Sequence, residues 1–181
     1  MRSAMPGLSG RPINMRLTIS FIALGIHDDE AGMMFRDLQA RVNRWWRYER
    51  SKGRPIGAFA GVHSHANPGG SRHVDWLAHI PETIAQQFPA KVAVFLSKIT
   101  GASDLGDALW IARVDTPGSL AKYVLRGIDP AYGDYLRIQP ANEGIVSGRR
   151  TGANRCIGKT ARKRAGWSRK RPNTTSTFAG A

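Results

Sequence analysis

Apolar positions recur at two different spacings along this chain, and the change from one to the other marks the elements. From Arg16 to Ile26 the residues are mostly apolar, β-branched or aromatic, which predicts a first strand. Asp28 or Asp29 can cap a helix after it. There Ala31, Met34, Phe35, Leu38, Val42 and Trp45 recur at steps of three and four, the spacing of one helix face. Arg36, Arg41, Arg44, Arg47 and Arg50 fall on the rest of that helix, either as a solvated face or as a phosphate contact. Ser51-Lys-Gly-Arg-Pro55 is a turn. Ile56 to His65 reads as a second strand, Ala66 to Arg72 as a Pro-Gly-Gly loop, and His73 to Ile80 as a third strand. Short strands joined by a turn-rich loop make an antiparallel hairpin. Pro81-Glu82 opens a helix with the stripe Ile84, Phe88, Val92, Phe95, Leu96 and Ile99. Pro89 should kink or split it, and Gly101 ends it. Ala108 to Val114 is a fourth strand. Thr116 as N-cap and Pro117 at the first helical position start a last helix, through Tyr123 and Arg126 to Gly127.

The order β-α-β-β-α-β followed by a helix predicts an α+β fold. It is the split βαβ, ferredoxin-like antiparallel sheet, in which the first and third strands are central and both main helices cover one face. Period-two alternation then gives the third strand two different sides. Val74, Trp76, Ala78 and Ile80 face the helices, and His73, Asp75, Leu77 and His79 face the open side.

Charge adds a partner to this picture. The 181 residues carry 27 Lys and Arg against 13 Asp and Glu, a net charge of +14, which calls for a polyanion, nucleic acid first. The excess is uneven. Residues 144–181 contain no acidic residue and ten basic ones, among them Arg149, Arg150, Arg155, Lys159, Arg162, Lys163 and Arg164. With its frequent Gly, Ser, Thr and Asn, this reads as an irregular basic arm that contacts phosphates, disordered from Thr174 on. The division is therefore a lead-in at 1–15, a folded domain at 16–143 and the arm at 144–181. The single Cys156 excludes an intramolecular disulfide and a cysteine-based zinc site, and fits a reducing cytoplasm. The longest apolar run, Leu17 to Ile26, is far short of a membrane span, and its flanks are not those of a cleaved signal.

Four of the five histidines lie within residues 62–81. His73 and Asp75 sit at adjacent same-face positions, roughly 7 Å apart along a strand. A pairing that sets His65 opposite His73 also sets His63 opposite Asp75. All four would then share a face and could hold a divalent cation: Mn²⁺, Zn²⁺ or Fe²⁺, with Mg²⁺ suited less well. A one-residue slip would remove His63 and His65 from it. His79, near the strand end, reads as a hydrogen-bonded structural residue. Tyr123 and Arg126, three apart, share a helix face. Tyr123 can be a packing residue, or a nucleophile if a cation lies near.

Three segments resemble the HUH endonuclease superfamily, and more narrowly the rolling-circle replication-initiator-like proteins of plasmids and mobile elements. They are Gly61-Val-His-Ser-His-Ala-Asn-Pro-Gly-Gly70, His73-Val-Asp-Trp-Leu-Ala-His-Ile-Pro81 and Ala121-Lys-Tyr-Val-Leu-Arg-Gly127. The Gly- and Arg-rich run 144–158 is similar to the region that follows the tyrosine helix in such proteins. The resemblance spans roughly residues 16–167. It implies metal-dependent nicking and rejoining of single-stranded or hairpin DNA through a Tyr123–DNA intermediate, with Arg126 beside it and Mn²⁺ or Mg²⁺ as the metal. No small-molecule cofactor and no membrane partner are expected. The chain departs from the family pattern in carrying Asp75 for the second histidine and Arg126 for a lysine, and in lacking the adjacent-strand glutamate. The alternative is a non-enzymatic DNA-binding relative on the same fold, with a lost or weakened centre.

Overall fold

The computed structural model describes residues 12–115, 127, 137–154, 156 and 159–164. Five strands form one antiparallel sheet: β1 Met15–Ser20, β2 Ala60–Ala66, β3 His73–His79, β4 Leu109–Arg113 and β5 Thr151–Ala153. Their spatial order is β4-β1-β3-β2-β5. The helices are α1 Asp28–Ser51, α2 Glu82–Ala85, α3 Gln87–Thr100 and α4 Lys159–Arg164. The chain is thus α+β, with β3 in the middle of its sheet.

The core forms because each element turns one periodic face inward. Met15, Leu17 and Ile19 of β1 and Val74, Trp76 and Ala78 of β3 meet the α1 stripe and Ile84, Phe88, Val92 and Leu96 of α2 and α3. Trp46, outside the expected stripe, is buried as well, and its Nε1 donates to Gly57 O at 2.8 Å. Aromatic rings meet edge to face at the centre: Phe35 with Trp76 at 5.3 Å and Phe59 with Trp76 at 5.3 Å. Edge-to-face pairs of this kind add to the burial of their area.

Pro89 acts as its chemistry requires. It cannot donate to the carbonyl one turn back, so the helix is broken between Ala85 and Gln87 into α2 and α3. Three boundaries differ from the sequence pattern. The first strand stops at Ser20, and Ile22–Leu24 form a single 3₁₀ turn. The second strand begins only at Ala60. The α1 N-cap is His27, with no side-chain cap bond, because the Asp28 carboxylate is turned toward Arg72 instead. The acidic first turn, Asp28, Asp29 and Glu30, still complements the helix dipole.

Part of the expected irregular arm belongs to the sheet. Thr151–Ala153 pairs antiparallel with β2, matching Val62 to Ala153 and Ser64 to Thr151. The expected helix at 116–126, with Tyr123 and Arg126, lies outside the described residues, as do Arg155 and the tail from Thr174. Among the described residues no helix is long and apolar enough to cross a membrane.

Candidate nucleic-acid interface

The β2–β3 register decides which histidines can act together. His65 lies opposite Val74, Ser64 opposite Asp75 and His63 opposite Trp76. The pairing is therefore one residue away from the one that sets His65 against His73. Side chains alternate along a strand, so that single step sends His63 and His65 to the opposite face from His73 and Asp75. The expected four-ligand cluster of His63, His65, His73 and Asp75 is not assembled. The reason is packing: Trp76 and Val74 must face the helices, and their cross-strand partners go with them.

On the helix side, His63 and His65 are a neutral aromatic pair. Their ring centroids are 5.6 Å apart, and Phe35 meets both edge to face, at 4.9 Å and 5.2 Å. The Nε2 amide of Gln39 lies 3.2 Å from His63 Nδ1. His65 is only 3% exposed, and its Nδ1 has no hydrogen-bond partner. Burial lowers the His65 pKa to about 3, with help from the positive charge of Arg72. Burial and Arg149 lower that of His63 to about 4. Both imidazoles are uncharged at neutral pH.

The other face carries one row across all five strands: Trp110, Thr18, Asp75, Ser64 and Thr151. Its centre is not open, since Asp75 is 4% exposed and Leu77 is buried too. Asp75 Oδ1 accepts from Arg16 Nε at 3.0 Å, Arg16 Nη2 at 2.8 Å and Thr18 Oγ1 at 2.7 Å. The Arg16 guanidinium also lies against the Trp110 ring, its Cζ 5.3 Å from the centroid. Trp110, on the edge strand, is 52% exposed. His73 Nδ1 lies 3.2 Å from Ser71 O. His79 Nδ1 lies 2.7 Å from Pro12 O, matching its reading as a structural residue.

These residues do not fit a divalent cation. A cation at Asp75 would have to displace a guanidinium bonded through two nitrogens, and His63 and His65 are on the far side of the sheet. Among the described residues no group of three or more His, Cys, Asp or Glu side chains could hold a metal ion.

The Gly- and Arg-rich segment is tied to the hairpin mainly through backbone. His65 N donates to Arg150 O at 2.7 Å, Asn67 N to Glu143 O at 2.7 Å and Asn154 N to Gly61 O at 3.0 Å. Gly152 lies against the His63 ring, where a Cβ would overlap it. Arg150 is turned inward and donates to Gly144 O and, at 3.4 Å, to His65 O. It serves the fold more than a phosphate. Arg149, Lys163 and Arg164 are exposed, and Lys159 and Arg162 share the short helix α4 with the last two. On α1, Arg36, Arg44, Arg47 and Arg50 are exposed, and Arg41 pairs with Asp37 at 3.2 Å.

A second anchor joins three segments. Arg72, 2% exposed, donates through Nη1 to Asp28 Oδ1 at 2.5 Å and to Asp28 O at 2.6 Å. Its Nη2 reaches Ser147 O at 3.1 Å, and Ser147 N returns a bond to Asp28 Oδ2 at 3.2 Å. Sequence reasoning missed Arg16, Trp110, Arg72 and Asp28 as site residues. Arg16 had a signal, since it shares strand parity with Thr18 on the non-core side of β1.

A search of protein-family models returns no match to this chain, and comparisons with curated proteins and with solved structures return none either.

Proposed function

We propose that this chain is a single-strand DNA-binding relative of the HUH endonucleases whose metal centre has been replaced by an ion pair. The observation that carries the reading is the Asp75 carboxylate, bonded by Arg16 and Thr18 at the position where the family pattern has a metal-binding histidine. Three further points support it. The strand order β4-β1-β3-β2, with α1 and α3 against one face, is compatible with the split βαβ, ferredoxin-like arrangement expected from the order of elements in the sequence. The +14 charge suits a phosphate backbone. Arg149, Lys163 and Arg164 are exposed to meet one. Binding of this kind weakens as salt rises, because phosphate contacts release counterions.

The test is to incubate the protein with labelled single-stranded and hairpin DNA from a broad sequence pool, with Mn²⁺ or Mg²⁺. Binding that falls with salt, and no protein–DNA adduct after denaturation, is the expected result. Absence of binding at moderate salt would remove the reading altogether. The resemblance at His73 and Tyr123 favours a second reading, metal-dependent nicking through Tyr123. A denaturation-resistant adduct that disappears in Tyr123→Phe would put that reading first.

A further inference from the structure

The Asp75–Arg16 pair leads to an exposed indole, and that contact points to a binding site. We infer that Trp110, backed by Arg16, is a stacking site for an unpaired base of single-stranded DNA. This rests on the reading that the chain binds DNA and adds where, and through what chemistry, a base is held.

Trp110 is one of five tryptophans, and Trp45, Trp46 and Trp76 are buried in the core. Its neighbours along β4, Leu109 and Ile111, pack against that core. Alternation therefore turns Trp110 to the other face, where it is 52% exposed. Leaving an indole half in water forgoes apolar burial.

Arg16 supplies the second half of the site. Its guanidinium lies over the indole with Cζ 5.3 Å from the ring centroid, a cation–π arrangement. Asp75, itself held by the Thr18 hydroxyl, fixes the guanidinium from behind. A pre-positioned ring needs little further ordering when a ligand arrives. A base can stack on the exposed indole surface while its phosphates stay within the field of a strongly basic protein. Among the described residues β4 is the edge of the sheet, so a DNA strand can pass it without entering a closed pocket. Stacking of this kind accepts any base, because every base has a π-face.

Tyr48 is the rival platform. It is exposed on α1, and Lys52 Nζ lies 4.1 Å from its ring centroid. Lys52 also meets a buried carboxylate, Glu49 Oε1, but at 3.5 Å and through one nitrogen. Arg16 is bonded to Asp75 through two nitrogens at 3.0 and 2.8 Å, so the observations favour Trp110.

The experiment compares a labelled base-bearing oligodeoxynucleotide with an abasic one of equal length, by fluorescence anisotropy, for wild type, Trp110→Ala, Trp110→Phe and Tyr48→Ala. Wild type should bind the base-bearing strand more tightly. Trp110→Ala should lose roughly 5- to 150-fold on that strand, the range for one base–aromatic stack, and almost nothing on the abasic strand. Trp110→Phe should recover most of the loss, and Tyr48→Ala should change neither. In a Trp167→Phe background, the base-bearing strand should also quench the exposed Trp110 emission. Equal affinity for the two strands in wild type, or a base preference that persists in Trp110→Ala or vanishes only in Tyr48→Ala, overturns this inference and leaves DNA binding standing. Failure of wild type to bind either strand overturns both.

Discussion

Acid should unfold this protein through the two histidines packed beneath the sheet. His63 and His65 have pKa values lowered to about 4 and about 3 from an ordinary 6.5. The unfolded chain therefore binds protons that the folded chain refuses. Stability is fully present above about pH 6.5 and is lost as pH falls toward the folded values. Each group costs about 1.4 kcal/mol per pH unit inside that window. Between pH 7.5 and 5 the two together remove about 4 kcal/mol, a large part of the 5–15 kcal/mol that holds an ordinary domain folded. With a urea slope of about 2 kcal/mol per molar, the unfolding midpoint should fall by about 2 M over that interval. Urea titrations at pH 7.5, 6.5 and 5.0, followed by circular dichroism, measure the shift. In a His63→Leu/His65→Leu variant most of the shift should disappear, since neither leucine titrates. His65 Nδ1 has no partner to lose. A midpoint that stays constant between pH 7.5 and 5.0, or that falls just as far in the double variant, would refute the reasoning.

Two further perturbations probe the segments that close around the hairpin. Gly144→Ala places a Cβ onto the Asn67 carbonyl at a backbone φ of 67°, so it should destabilise by at least about 2 kcal/mol and detach the 143–150 segment from the hairpin loop; thermal melts and amide exchange at Asn67 and His65 report it. Asp28→Ala leaves the buried Arg72 guanidinium without its carboxylate, and should cost about 2–3 kcal/mol, less than a fully buried pair because Asp28 is partly exposed; chemical denaturation checks this, and an Arg72→Met/Asp28→Ala pair should recover part of the loss.

The sequence pattern reaches the helices and the two-sided third strand, because those depend on spacing within one element. The α1 stripe, the break before Pro89 and the inward set Val74, Trp76 and Ala78 need no partner to be read. The hairpin register is different. The loop between Ala66 and His73 is too long to fix a register by turn type, and Ala60, Val62 and Ala66 do not mark a face clearly. Only the demand that Trp76 meet Phe35 and Phe59 chooses the pairing, and it carries His63 and His65 inward. The contact of Arg16 with Asp75 and Trp110 joins three strands distant in sequence, so no local spacing announces it. β5 escaped because Thr-Gly-Ala has no period to detect. Its strand character comes from the open edge of β2, and Gly152 is the residue that clears the His63 ring.

That fifth strand also bears on aggregation and on the order of folding. β2 and β3 are neighbours in sequence and can pair early, but β2 then presents a bare row of amides and carbonyls. The residues that cover this row come from the far end of the chain and are joined late, after long loops close. Until then, the hairpin is open to pairing with a second chain. A protein released from the ribosome before Thr151–Ala153 emerges would have its histidine hairpin formed and its sheet edge unguarded.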